Sequence, residues 1–340
     1  MSTSLRNFLI TRILLTIPMV LILVTMVFFV MRILPGDPIR SQLGPKVSEV
    51  QAAAIRERLG LNRPLYVQYF EFLWRMVTLD FGNALTQGER PIKDELAERL
   101  PATIELAVPA MIFTSLVGVF SGAYAAEKRK KPADYSIRMF SIIIYAIPVF
   151  FLGLMFQIVL SVRIPIFPLA GRMDQLLLTQ FDARTNFYIL DALLSQNWPA
   201  LKSLLIHMVL PALSLGLILV GPFIRLTRVN MIEMLQADFI TAGRARGLPE
   251  RRLTYKHALR NTFIPIMTLI GLQFALLLAG AVLTETTFSW PGIGRYLVKR
   301  IELRDYSAVQ ATIAVFAMFV GIISVLIDVL YAFIDPRIRY

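Results

Sequence analysis

The sequence of 340 residues contains no cysteine and only two histidines. Without thiols it can hold neither a disulfide framework nor a thiolate metal site. His207 and His257 are far apart in the chain and no H-E-x-x-H occurs, so no metal ligand set is expected. There is no G-x-x-x-x-G-K-[ST] phosphate loop, and no serine stands in a G-x-S-x-G elbow. No catalytic residue is therefore nominated, and an enzyme is not expected. Charge is scarce as well: 17% of residues are Asp, Glu, Lys or Arg, against roughly 25% in soluble domains. No short-period repeat or low-complexity tract is visible.

What is abundant is apolar. Hydrophobic residues make up 56% of the chain and mean hydropathy is +0.63. No soluble core of this size can bury that much apolar surface, so part of the solvent must be a lipid bilayer. The net charge of +12 has two readings: a nucleic-acid footprint, or Lys and Arg gathered on the cytoplasmic side of a membrane. The apolar composition favours the second, and no nucleic-acid partner is expected.

A bilayer span needs about 20 largely apolar residues. Charge-free runs cover Ile13–Met31, Leu106–Ala126, Met139–Val162, Ser203–Ile224, Asn261–Thr284 and Tyr306–Ile327. These predict an all-α membrane protein with six spans and both termini on one side. The first run is long for the apolar core of a signal peptide and no small-x-small site follows, so it is expected to be retained. If the N-terminus is cytoplasmic, the inside segments hold 17 Lys and Arg in 74 positions and the outside segments 18 in 135. The short loop Glu127–Lys131 weighs most, and it places both termini in the cytoplasm.

No carboxylate lies within the six runs; Glu105, Glu285, Asp305 and Asp328 stand at their edges. Proton-coupled carriers need ionisable groups at mid-membrane, so a secondary carrier or channel is the lesser alternative. Gln157, Gln273 and Gln310 are the span glutamines. Each either bonds a neighbouring helix or faces a polar pathway.

The first outer loop, 32–105, carries helix signals. Ser48-Glu-Val-Gln51 reads as a capping box, Gly60 as a stop and Pro64 as a start. Tyr66, Tyr69, Phe70, Leu73, Trp74 and Val77 recur at helical spacing and suit a helix at the membrane interface. A third helix is expected after Pro91. The loop either packs on the outer mouth or meets a partner. In the last outer loop, Phe288, Trp290, Pro291 and Gly292 form an aromatic tip. It suits either a partner's cleft or interfacial anchoring.

The inner loop 225–261 has more pattern than a plain basic loop requires. Asp238 can cap a helix beginning at Phe239. Thr241-Ala-Gly-Arg-Ala-Arg-Gly247 then gives a small-residue face, with Gly247 as stop and Pro249 as restart. Arg244, Arg246, Arg251 and Arg252 rim it. Two short helices in an L make a docking element.

Thr241-Ala-Gly-x-x-x-Gly247 followed by His257-Ala-Leu259 resembles the EAA loop of importer-type ABC transporter permeases. Thr241 stands where the family-wide Glu falls, Gly243 replaces the second Ala, and Arg260 the terminal Pro. The wider match is to the dipeptide/oligopeptide permease subfamily, B-type subunit. It rests on Pro35-Gly-Asp-Pro38, Leu59-Gly-Leu-x-x-Pro64, Asp80-Phe-Gly82, Arg99–Leu106, His257–Asn261, Leu283–Gly292 and Asp335–Arg339. The resemblance implies a type I ABC importer permease working by alternating access. Its partners would be a second permease chain (C-type), two ATPase subunits and an extracytoplasmic substrate-binding protein. No cofactor belongs to this chain; ATP and Mg would sit on the ATPases. The expected solute is a dipeptide or short oligopeptide, with nickel, glutathione or an oligosaccharide as alternatives. The coupling residues would be Asp238, Thr241, Ala242, Gly243, Arg244, Arg246 and Gly247. Residues 1–101 would hold the first span and outer loop, 102–333 the core permease unit and 334–340 a cytoplasmic tail. The location would be a bacterial or archaeal inner membrane.

Overall fold

In lipid, a backbone must satisfy its own N–H and C=O groups, so long apolar runs fold as helices. The computed structural model describes residues 3–33, 49–58, 60, 62–84 and 90–334. The expected cap at Ser48, the motif residues 35–38, Leu59 and Leu61, and the tail 335–340 lie outside the described residues. The principal helices are α1 (Thr3–Ile33), α2 (Glu49–Arg58), α3 (Leu65–Thr78), α4 (Ile92–Glu127), α5 (Pro132–Ala146), α6 (Val149–Phe156), α7 (Trp198–Leu235), α8 (Asp238–Ala245), α9 (Leu259–Thr287), α10 (Ile293–Glu302) and α11 (Tyr306–Ile334). π-helical turns follow α6 at Gln157–Arg163 and precede α9 at Leu253–Ala258.

Among the described residues, five helical stretches are long and apolar enough to cross a membrane: Leu14–Arg32, Ile92–Glu127, Trp198–Leu235, Glu250–Thr287 and Tyr306–Ile327. The expected third span is not a straight helix. Pro132–Ala146 and Val149–Arg163 meet at 100°, so six crossings result only when this bent pair counts as one. The cause is local. Pro148 has no N–H to donate and disfavours the helical region for Ile147, which adopts ψ 127. The helix expected after Pro91 is also not separate: it is continuous with the second span in the 36-residue α4. The expected boundary at 101/102 falls inside that helix.

α7 is the central post, packed by α4, α5 and α9. Small residues let α4 and α7 close together, as is usual between helices in a bilayer. A Cβ at Gly122 would lie 2.8 Å from the Ile224 carbonyl oxygen. Higher on the same seam, Thr114 donates to the Gly216 carbonyl at 2.7 Å. Leu106, Leu215, Phe223, Leu277 and Trp290 fill the core around it. α1 is peripheral and packs on α11 and α3. Phe28 stacks on Phe72 and meets Tyr69 edge-on. The outer faces of α3 carry Tyr66, Phe70, Trp74 and Val77 exposed, whereas Tyr69 of the same series turns to α1.

The inner end is the end of the bundle that carries loop 225–261, and the outer end is the opposite one.

Candidate coupling site and outer mouth

At the inner end, α8 and the turn Glu250–Arg252 form the two arms of the L. Ala237, in extended conformation, occupies the cap position of α8, and no side-chain cap bond is made. Asp238 is thus the first helical residue rather than the cap. Its carboxylate lies in the first turn, where the helix dipole favours negative charge. The stop is built as expected of glycine. Gly247 has φ +75 and donates to Arg244 O at 2.9 Å, while Leu248 donates to Gly243 O at 3.1 Å. This 5→2 and 6→1 pair is a Schellman ending. Pro249 then caps Glu250–Arg252.

The two faces of α8 differ. Asp238, Phe239, Thr241, Ala242, Arg244, Arg246 and Gly247 are exposed. Gly243 is buried, and a Cβ there would lie 2.6 Å from Leu253 Cδ2. The small residue at 243 therefore sets how closely the two arms fold together and is not part of the exposed face. Ile240 and Leu253 pack with Ala123, Ala126, Met231 and Ala258. The L is thereby mounted on the inner ends of α4 and α7. Arg244 Nε donates to Glu250 Oε1 at 2.5 Å across the elbow, which raises the Arg244 pKa above its ordinary value. Arg251 and Arg252 are exposed beside it.

Composition and spacing alone missed the polar ties that hold this end. Arg228 on α7 donates through Nε and Nη2 to both carboxylate oxygens of Asp134, at 2.6 and 2.8 Å. Asp134 is buried, and Lys130 N also donates to it. Tyr255 Oη donates to Glu127 Oε2 at 3.0 Å. The sequence offered only the proximity of acidic and basic residues near span ends.

At the outer end, the aromatic tip is turned inward. Phe288 and Trp290 are 2% and 1% exposed, Gly292 is buried, and Pro291 alone of the four is exposed. Trp290 Nε1 donates to Ala102 O at 2.8 Å, so its ring is a wedge between α4 and α9. An indole with its N–H satisfied is stable when buried. Both aromatic rings thus pack within the chain, and Pro291 is what the tip presents at the surface. Gly292 leaves room for Glu285: an added Cβ would lie 2.2 Å from Glu285 Oε1. Glu285 accepts from Thr103 Oγ1 at 2.6 Å and from Arg295 N at 2.9 Å.

Glu105 and Asp305, noted at span edges, are likewise tied down. Arg172 donates to Glu105 Oε2 at 2.5 Å and lies 3.6 Å over the Tyr188 ring. Arg300, itself buried, donates to Glu95 Oε2 at 2.5 Å and to Asp305 Oδ2 at 3.4 Å. Of the glutamines, Gln157 donates to Leu169 O and Thr287 O and so joins the π turn to the end of α9. Gln273 Oε1 and Gln310 Nε2 are buried without a hydrogen-bond partner. Among the described residues no three His, Cys, Asp or Glu side chains are grouped to hold a metal ion.

Residues 118–340 match the family described as the binding-protein-dependent transport system inner membrane component. Residues 5–107 match its N-terminal companion. The chain is 38% identical to the di/tripeptide transport system permease protein DppB of Pseudomonas aeruginosa, over 98% of this chain and 99% of that protein. It is 36% identical to the dipeptide transport system permease protein DppB of Escherichia coli, over 98% and 99%. It is 33% identical to the glutathione transport system permease protein GsiC of Salmonella choleraesuis, over 98% and 99%. Among solved structures, a chain from the MetNI methionine ABC transporter in inward-facing conformations overlays with TM-score 0.52 at 12% identity. The overlay covers 69% of this chain and 93% of that one, and it shows a shared fold. A multi-pass helical bundle with a folded inner loop, matched along nearly its full length, places this chain in the family of inner-membrane permease components of binding-protein-dependent transport systems.

Proposed function

We propose that this chain is one of two permease subunits of an ATP-driven importer for short peptides in a bacterial or archaeal cytoplasmic membrane. The observation that carries this reading is the inner-end L. It presents an exposed, small-sided helix that is nevertheless fixed to the ends of α4 and α7 by a buried apolar patch. Such a mount can be gripped from the cytoplasm and can pass force to the bundle. Asp238, Thr241, Ala242, Arg244, Arg246 and Gly247 form the face offered to an ATPase subunit, and Gly243 holds the elbow behind it. Two ATPase subunits, carrying ATP and Mg, would act on this loop and on that of a second permease chain. A substrate-binding protein would approach the outer end, where Pro291 and Arg295 are exposed. Both chain termini lie in the cytoplasm on this reading.

A ligand shifts a two-state protein only through its differential affinity for the two states. Closure of the ATPase pair is the source of that difference here, and no residue of this chain performs covalent chemistry. Peptide solutes are supported by the DppB relatives at 36 and 38% identity. Glutathione is a second reading, supported by the 33% identical GsiC, and it shares the peptide bond and free carboxylates of the first. Uptake of a labelled dipeptide, a tripeptide and glutathione into proteoliposomes holding the full complex decides between them. ATP-dependent accumulation of a dipeptide supports the proposal. Accumulation by this chain alone on a proton or sodium gradient overturns it.

A further inference from the structure

We infer that Tyr255 is a positioning residue for energy coupling: through its hydrogen bond to Glu127 it makes the second span, and not only the spans flanking loop 225–261, follow the motion of that loop. The inference rests on the docking role proposed above and adds the route by which the motion leaves the loop.

Loop 225–261 is covalently continuous with α7 and α9 only. α4 is remote in sequence, yet its last residue, Glu127, accepts from Tyr255 Oη at 3.0 Å across 128 positions. Tyr255 sits in the π-helical stretch Leu253–Ala258, between the second arm of the L and α9. π-helical stretches insert an extra residue into a helix and recur at functional sites. The residues around Tyr255 hold the same junction. Leu253 and Ala258 pack on Ala123 and Ala126 of α4 and on Ile240 of α8. The other Glu127 oxygen, Oε1, takes Lys128 Nζ at 2.5 Å, so both oxygens of the carboxylate are engaged.

What α4 would transmit is set by its packing. α4 and α7 meet backbone to backbone at Gly122, where no side chain could enter, and at Thr114–Gly216. Close-packed elements move as units because packed interfaces have discrete arrangements rather than continuous ones. A displacement of the L would therefore reach α9 through the chain, and would reach the α4–α7 pair through Glu127–Tyr255 and the apolar patch. The apolar patch can slide. The hydrogen bond, directional and with a charged acceptor, fixes register. Its loss would leave the loop able to move without carrying the inner end of α4 with it.

The test uses the full reconstituted complex, with ATP hydrolysed and dipeptide imported measured in the same vesicles. Tyr255→Phe removes only the hydroxyl. It is expected to lower solute moved per ATP by about tenfold, the scale of a coupling free energy carried by one charge-assisted hydrogen bond. ATPase subunits should still co-purify. Glu127→Gln keeps an acceptor oxygen and should retain most of the ratio, whereas Glu127→Ala should match Tyr255→Phe. The double variant Tyr255→Phe/Glu127→Ala should be no worse than either alone. A wild-type ratio in Tyr255→Phe, additive losses in the double variant, or loss of the ATPase subunits from Tyr255→Phe would each overturn the inference. Failure of the docking reading looks different: the wild-type chain itself would couple with the exposed face of α8 free of any ATPase contact.

Discussion

At the outer end Arg300 is 1% exposed between Glu95 and Asp305. At the inner end Arg244 pairs with Glu250 in open solvent, the two side chains 45% and 62% exposed. The same kind of ion pair does different work in the two places. Buried charges cannot lose a partner without a large penalty, because water does not replace it. Exposed pairs are screened and contribute little to stability. The outer end of this chain is thus held together by buried ties at Arg300, Arg172, Glu285 and Trp290. The inner end is fixed only behind its L, and the face of the L is left for something else to hold. A transporter driven from one side needs that asymmetry: a firm outer frame and a handle on the inner end.

Arg300→Ala should have the largest effect on this contrast. It removes the buried cation that Glu95 and Asp305 share and should cost about 3 to 5 kcal/mol of stability, read as loss of monodisperse protein in detergent and a lower Tm. Trp290→Ala comes next. It empties the wedge between α4 and α9 and removes the indole donor from the Ala102 carbonyl, for about 3 kcal/mol, measured by the same thermal unfolding. The smallest effect should come from Arg244→Ala. Its stability change should stay below about 0.5 kcal/mol, with the spans inserted as before. A Tm drop as large as that of Arg300→Ala would mean that the L is as rigidly built as the outer frame, and the contrast would fail.

Much of this was legible in the sequence, and for identifiable reasons. Span runs follow directly from the absence of charge. The Schellman stop at Gly247 follows from the small-residue run and the restart at Pro249. The bend at Ile147–Pro148 carried its own signal, a proline inside an apolar run, but prolines also sit within α4, α7 and α9 without breaking them. Whether a proline bends a membrane helix depends on neighbours that can satisfy the freed carbonyls. The burial of Trp290 was not legible, because an aromatic beside Pro and Gly looks the same whether it points out or in. The direction is set by Ala102 O, 188 residues away. For Gly243, smallness is required both by docking and by an inward elbow, and only the position of Leu253 separates the two. The buried pairs Glu95–Arg300 and Glu105–Arg172 join residues 205 and 67 positions apart, beyond any local pattern.

The absence of native cysteine lets single introduced thiols report which end of the chain meets an ATPase subunit. Ala242→Cys puts a single thiol on the exposed face of α8, and Pro291→Cys puts one at the outer mouth. In the assembled complex with a short bifunctional crosslinker, Ala242→Cys should capture an ATPase subunit, with a yield that changes between ATP-bound and nucleotide-free states. Pro291→Cys should capture none. Capture of the ATPase from position 291, or no capture from 242 in a complex that still transports, would contradict the account.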